Sequence, residues 1–291
     1  MEFDEYAQYR ETKPHKQPDF AYNTYLCTIP QDFDRVHPHW HEQMEVIYVK
    51  RGSGVVSVDF DRLDVRAGSI VPVLPGEIHS IEGTPGERME YENIIFSLGM
   101  LGGGDGDTWF RLNVLEPLRE GRLTFMRPIP PGTDFYVEAS AALDGADLAC
   151  TDRQAGYSLL VKSSLLGLLH ALYVHRLDES QVRPRRSTER LKTVLADVKV
   201  HYGEKISIAD AARLAGYSES HFMRMFKEET GQTFVAYLTG YRLSAAGYLL
   251  RETSEPIGSI ALSCGFDNFS YFTRTFRAHY GVTPSKFRTG A

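Results

Sequence analysis

The chain has 291 residues, 42% of them hydrophobic and 24% charged, an ordinary globular composition and enough length for two domains that each bury a core. No uninterrupted apolar run approaches the roughly 18 residues that a membrane span needs, and the polar, acid-bearing start MEFDEYAQYRETKPHKQPDF reads as neither a signal nor a transit peptide. The net charge of −6 hides an asymmetry: residues 185–291 carry 15 Lys+Arg against 10 Asp+Glu, a net of +5, which leaves residues 1–184 at −11. An acidic half joined to a basic one is the pattern of a module that avoids polyanions tethered to a module that binds them. Cys27, Cys150 and Cys264 lie too far apart for a disulfide framework or a CxxC knuckle, and fit small buried hydrophobes in a reducing cytoplasm.

Residues 1–20 are expected to form an N-terminal arm and residues 21–145 a β barrel. Near the start of the barrel, HPHWHEQME (37–45) packs three histidines and two glutamates into nine residues. Alternate residues of a strand face one side, so His39, His41, Glu45, Ile47 and Val49 share a face that is polar at one end and apolar at the other. HEQME is not the zinc-protease HExxH, because Glu45 stands where the second histidine belongs. MEVIYVKRGSGVVSVDF alternates and is interrupted by Gly52-Ser53-Gly54, read as a hairpin turn. RLDVRAGSIVPVLPGEIHSI adds Gly68 and Pro75-Gly76 as turns, and RMEYENIIFSL is a further strand. Short strands with frequent turn signals predict an antiparallel barrel or sandwich. LGGGDGD (101–107) echoes GxGxxG, yet no phosphate-binding helix follows, so it reads as a loop.

GYSLLVKSSLLGLLHALYVHRL (156–177) changes period: Leu159, Leu165, Leu166, Leu169, Leu172, Tyr173 and Leu177 recur at helical spacing. Residues 146–180 are therefore expected to be a helical segment that caps the barrel and dimerises. The polar, basic, proline-bearing stretch DESQVRPRRSTER (178–190) that follows reads as the interdomain linker, bounded at 181–190.

The basic half contains a repeat. ISIADAARLAGYSESHFMRMFKEETG (206–231) aligns with EPIGSIALSCGFDNFSYFTRTFRAHYG (255–281). Ile208, Ala212 and Gly216 match Ile257, Ala261 and Gly265 at an offset of 49; Phe222, Phe226 and Gly231 match Phe272, Phe276 and Gly281 at an offset of 50. Each copy has the parts of a helix-turn-helix: a short apolar helix, a glycine suited to a left-handed cap, a polar N-cap (Ser218 or Asn268), and a second helix whose paired phenylalanines face inward. The opposite face of the second helix then presents Ser220, His221, Met223, Arg224 and Lys227 in one copy and Ser270, Tyr271, Thr273, Arg274 and Arg277 in the other. Arginine binds guanine bidentately, and the remaining polar groups suit phosphates or base edges. TFVAYLTGYRLSAAGYLLRETSEP reads as one long helix ending before Pro256, a rigid connector for two recognition helices. Two successive major-groove segments require a separation of roughly 34 Å.

Residues 188–290 resemble the DNA-binding domain of the AraC/XylS family of transcription regulators, through IADAARLAGYSESHFMRMFKEETG, YRLSAAGYLL, IALSCGFDNFSYFTRTFR and GVTPSKFR. The resemblance implies an all-α domain (191–290) with helix-turn-helix motifs near 208–229 and 257–280, and base contacts from Ser220, Met223, Arg224, Ser270, Thr273 and Arg274. His39, His41, Glu45 and Gly52 resemble the first cupin motif, and Gly68, Pro75, Gly76 and His79 the second, without the asparagine that usually follows. The expected architecture is an all-β cupin-like barrel with trailing helices, then the two-motif helical domain. The expected function is a ligand-responsive, sequence-specific DNA-binding regulator of the activating kind, a homodimer that touches RNA polymerase and senses a small molecule such as a sugar. No membrane partner is expected. His39, His41, Glu45 and His79 form either the polar floor of an organic-ligand pocket or the ligand set of a divalent transition metal. The competing reading is a metal-dependent cupin enzyme with an appended DNA-binding domain.

Overall fold

The structure, a computed structural model, describes residues 20–32, 35–102, 106–177 and 189–289. The arm up to residue 19, the middle of the 101–107 loop and most of the 181–190 linker lie outside the described residues. The chain divides into two compact units: residues 20–32 and 40–177 form one, residues 35–39 and 189–289 the other.

The strands are β1 (Tyr22–Ile29), β2 (Arg35–His39), β3 (Met44–Arg51), β4 (Ser53–Val58), β5 (Asp61–Arg66), β6 (Ile70–Val73), β7 (His79–Gly83) and β8 (Met89–Phe96). In the first unit, β1, β8, β3 and β6 form one antiparallel sheet in that order, while β4 pairs antiparallel with both β5 and β7 in a second. The turn signals act differently from the expectation. Gly52 does not close a hairpin: β3 pairs with β6 and β8, so Gly52 passes the chain from one sheet to the other. Its backbone is left-handed (φ 74°) and a Cβ there would sit 2.1 Å from the Arg88 carbonyl oxygen, so only glycine fits the crossing. The tight hairpin is β4–β5, with Val58 opposite Asp61 and Asp59 and Phe60 both at positive φ (44° and 73°), the backbone that a two-residue type I′ turn requires.

One face of the first sheet (Tyr22, Met44, Val46, Ile70, Ile94, Phe96) packs into a single core with helices. After a 3-10 turn at Leu98–Leu101 and the short helices α1 (Thr108–Phe110) and α2 (Glu116–Arg119) come α3 (Asp134–Asp152) and α4 (Tyr157–Val174). The expected helix at 156–177 is α4, but its packed stripe is Val161, Leu165, Leu168, Leu169, Ala171 and Leu172. Leu159 and Leu160 are 69% and 57% exposed, so the apolar pattern is broader than the buried face. Among the described helices α4 is the one long and apolar enough to cross a membrane, and its buried side belongs to this core. The sequence reading missed α3, whose inward stripe of Phe135, Ala139, Leu143, Ala146, Ala149 and Cys150 relies on small residues that carry little periodic signal.

The second unit is α5 (Glu189–His201), α6 (Ile208–Leu214), α7 (Glu219–Thr230), α8 (Phe234–Glu252), α9 (Ile257–Ser263), α10 (Phe269–Tyr280) and α11 (Pro284–Thr289). The long connector is α8, capped by Thr233 and finished by Thr253, before Pro256 as expected. Within this unit, the Tyr237 hydroxyl donates to the Pro38 carbonyl at 3.0 Å, and His37 Nε2 lies 3.0 Å from Ser244 Oγ.

Candidate effector site and nucleic-acid interface

Glu45 points from β3 into the space between the two sheets, on the face opposite Met44 and Val46. Its Oε2 meets His41 Nε2 at 2.6 Å and His79 Nε2 at 3.1 Å, and all three residues are buried. Their ligand-capable atoms lie within 4.8 Å of one another. His41 precedes β3, so strand parity does not place it; the irregular stretch Trp40–Gln43 turns its ring back onto Glu45. His39 ends β2, and its Nδ1 lies 3.0 Å from the His37 carbonyl oxygen.

Backbone carbonyls fix both rings that meet Glu45. His41 Nδ1 lies 3.1 Å from the Gln43 carbonyl oxygen and His79 Nδ1 lies 3.0 Å from that of Glu77. A carbonyl only accepts, so each Nδ1 carries the proton, and both Nε2 atoms face one carboxylate oxygen. Two neutral rings would aim lone pairs at that oxygen, so the 2.6 Å and 3.1 Å contacts call for a proton shared between the rings and the carboxylate. Burial pushes the Glu45 carboxyl up, but the adjacent His79 charge and the hydrogen bonds from both rings outweigh it and hold the group well below its usual range. Burial lowers His79, and the Glu45 charge more than offsets this, so the imidazole is raised above its ordinary value.

The loop that delivers His79 is anchored by a buried ion pair. Arg127 grips Glu77 through Nη1–Oε2 at 2.5 Å and Nη2–Oε1 at 3.0 Å, while the Leu74 amide donates to Glu77 Oε2 at 2.7 Å. On β8, Asn93 faces the same interior as Glu45 and is fully buried, and among the described residues neither of its amide atoms has a hydrogen-bond partner. Neither Arg127 nor Asn93 was singled out from sequence; for Asn93 the available signal was parity, an amide between Tyr91 and Ile95 on the inward positions of an apolar strand.

The repeated motifs fold alike. Ser207 and Asp210 form a capping box at α6, where hydrogen bonds from Ser207 and the Arg213 ion pair lower the exposed Asp210 carboxyl. Gly216 and Gly265 follow the first helices at φ 69° and 79°. Ser218 accepts from the His221 amide at 3.4 Å and Asn268 from the Tyr271 amide at 2.8 Å, the two N-caps expected. Phe222 and Phe226 are fully buried against Phe234, and Phe272 and Phe276 are fully buried in the second copy. On the outward faces, Ser220, His221, Met223, Arg224, Lys227, Ser270, Tyr271, Arg274 and Arg277 are exposed, and Thr273 is half-buried with its hydroxyl donating to the Phe269 carbonyl at 3.0 Å. The His221 ring lies 4.3 Å from that of Tyr217, and the Arg274 guanidinium lies 5.8 Å from the Tyr271 ring.

Family models match both parts of the chain: an AraC-like ligand binding domain over residues 23–107 and a helix-turn-helix domain over residues 211–290. The chain is 26% identical over 241 residues to the arabinose operon regulatory protein of Salmonella typhimurium, covering 82% of this chain and 81% of that one. It is 21% identical over 289 residues to the HTH-type transcriptional regulator YdeC of Bacillus subtilis, with 96% and 95% covered. The apo form of a ToxT variant from Vibrio cholerae shares the fold over 92% of this chain and 97% of its own, with a TM-score of 0.50 at 14% identity. With a ligand-binding barrel and a paired helix-turn-helix domain in one polypeptide, the chain belongs to the AraC family of ligand-responsive, DNA-binding transcription regulators.

Proposed function

We propose that this regulator senses a small organic effector in its barrel, with His39, His41, Glu45 and His79 as the polar floor of the pocket. It engages promoter DNA through Ser220, His221, Met223, Arg224 and Lys227 of α7 and Ser270, Tyr271, Thr273, Arg274 and Arg277 of α10. The carrying observation is the duplicated second helix, which buries a phenylalanine pair and exposes cations opposite it in both copies. In this reading the protein is a cytoplasmic homodimer paired through the exposed side of α3 and α4, it activates by touching RNA polymerase, its effector is a sugar, and it is not an enzyme. The effector acts by having different affinities for two arrangements of the protein. Replacing His41 with Ala or Glu45 with Gln is expected to abolish the effect of the effector on promoter occupancy while leaving effector-free DNA binding intact. Loss of DNA binding in those variants would assign the residues a structural role.

The convergence of two backbone-fixed imidazoles on Glu45 supports a second occupant of the same floor. His41, Glu45 and His79 are a donor set that suits a divalent first-row ion, which would supply Lewis acidity there. The chain's own residues would hold the ring orientations through Gln43 and Glu77 and keep the site buried. Stoichiometric metal in the purified protein, together with turnover of a candidate substrate, would favour the cupin-enzyme alternative. Unchanged promoter binding after chelation, without stoichiometric metal, would remove it.

A further inference from the structure

Phe269 and Glu219 hold the same place in the two copies of the helix-turn-helix, 50 residues apart, each the first residue of a 12-residue helix. Both follow a polar N-cap, Asn268 or Ser218, and both precede by four residues a base-contact residue of the proposed interface, Thr273 or Met223. Glu219 is the kind of residue a first turn favours, because an acid suits the positive end of a helix. Phe269 has no charge to offer that end and a lower helix propensity than glutamate.

The Phe269 ring is not needed for the core either. It is 53% exposed and reaches the core only at its edge, with its centroid 6.1 Å from that of Phe272. The first copy closes the same core around Phe222 and Phe226 with an exposed glutamate at this position, so the motif folds without an apolar group there. The charges around the ring indicate what it meets. α10 carries Arg274, Arg277 and His279 and no acidic residue, whereas α7 sets Arg224 and Lys227 against three glutamates. An exposed ring at the tip of a helix without acids suits a polyanion that also offers an apolar group. Duplex DNA meets both conditions, with phosphates along the groove and, among the base edges of the major groove, the C5-methyl of thymine. The first residues of a recognition helix are those that reach base edges.

Resting on the reading of α10 as a DNA-reading helix, we propose that Phe269 is a specificity-determining residue whose ring packs against the C5-methyl of one thymine. The contact removes ring and methyl from water together, which a cytosine at that place cannot match. The two motifs therefore differ in kind at an equivalent position. The second gains from a thymine methyl, and the first presents the Glu219 carboxylate, which gains nothing from one.

The test uses the full chain on a duplex selected with it from a random pool. Each thymine is replaced in turn by deoxyuridine, which removes the C5-methyl and keeps the base pair, and affinity is read by anisotropy. At one thymine the replacement is expected to weaken wild-type binding about 4-fold, the worth of one buried methyl-sized group. Phe269→Ala is expected to bind the unmodified duplex about 4-fold more weakly and to lose the methyl dependence at that thymine. Phe269→Leu, which keeps an apolar side chain, should retain a methyl dependence there. No methyl dependence in the wild type, or one that Phe269→Ala leaves unchanged at every thymine, overturns the proposal while the selected site leaves the DNA-reading role of α10 standing. Failure to select any site removes that role and the proposal with it. Unchanged DNA binding by Phe269→Ala together with lost transcription in a reconstituted polymerase assay assigns the ring to a protein partner and also overturns it. If the variant does not fold, the wild type on duplexes carrying 5-iododeoxyuridine at each thymine decides, since iodine stands in for the methyl and couples on photolysis to an adjacent aromatic ring. A crosslink to Phe269 supports the contact; crosslinks only to other residues, or none, overturn it.

Discussion

Arg224 and Arg274 occupy equivalent outward positions, 50 residues apart, on helices whose inner faces are held by buried phenylalanine pairs. Truncating either to Ala is expected to weaken specific DNA binding by about 1–3 kcal/mol and to relax preference at one half of the site, as measured by anisotropy on base-substituted duplexes. Lys227→Ala, acting on phosphate, should weaken all sequences alike and reduce the salt slope by about 1. These residues were legible because a helix that buries every fourth residue must expose those between. The histidine site was legible in identity and only partly in geometry. His41 converges on Glu45 through an irregular turn rather than strand alternation, and the bidentate Arg127–Glu77 clip joins residues 50 apart, a pairing no local pattern reveals. Because Glu77 is almost wholly buried, Arg127→Ala should strand a carboxylate and lower stability in urea by up to about 3 kcal/mol.

At the scale of elements, the two copies of the helix-turn-helix share caps and differ in their surroundings. Gly216 has open space where a Cβ would go, whereas a Cβ on Gly265 would lie 2.8 Å from both Arg242 Nε and the Tyr202 carbonyl oxygen. Alanine at Gly216 should therefore cost only the left-handed backbone strain, about 1 kcal/mol. At Gly265 the loss should be clearly larger, since the Arg242 guanidinium that donates to Tyr202 at 2.7 Å must move; chemical denaturation of the two variants compares them directly. The strands show the limit of pattern reading. Gly52, Gly68 and Pro75-Gly76 were recognisable as chain reversals, but whether a turn pairs its flanking strands or sends them to opposite sheets depends on partners distant in sequence. The one hairpin of the second sheet turns on Asp59-Phe60, which lacks the usual glycine.

For the whole molecule, the charge division anticipates the division of labour: the acidic part carries the ligand-binding barrel and the basic part the DNA-reading helices. Leu148, Leu159 and Leu160 are each more than half exposed on α3 and α4, in keeping with pairing of two copies. Leu159→Glu combined with Leu160→Glu should yield a monomer by sedimentation without lowering the unfolding midpoint, since neither side chain is in the core. The central claim, that one chain couples an effector site to sequence-specific DNA binding, has a direct measurement. Duplexes selected from a random pool with the full chain are titrated with and without each of D-ribose, D-xylose, D-glucose and D-galactose, using wild type and Glu45→Gln. The account predicts a selected site bound at least about 1,000-fold more tightly than random DNA, with an affinity that changes by about 5–150-fold when the effective sugar is present and does not change in Glu45→Gln. Failure to select any consensus, or a sugar response that persists in Glu45→Gln, would contradict it.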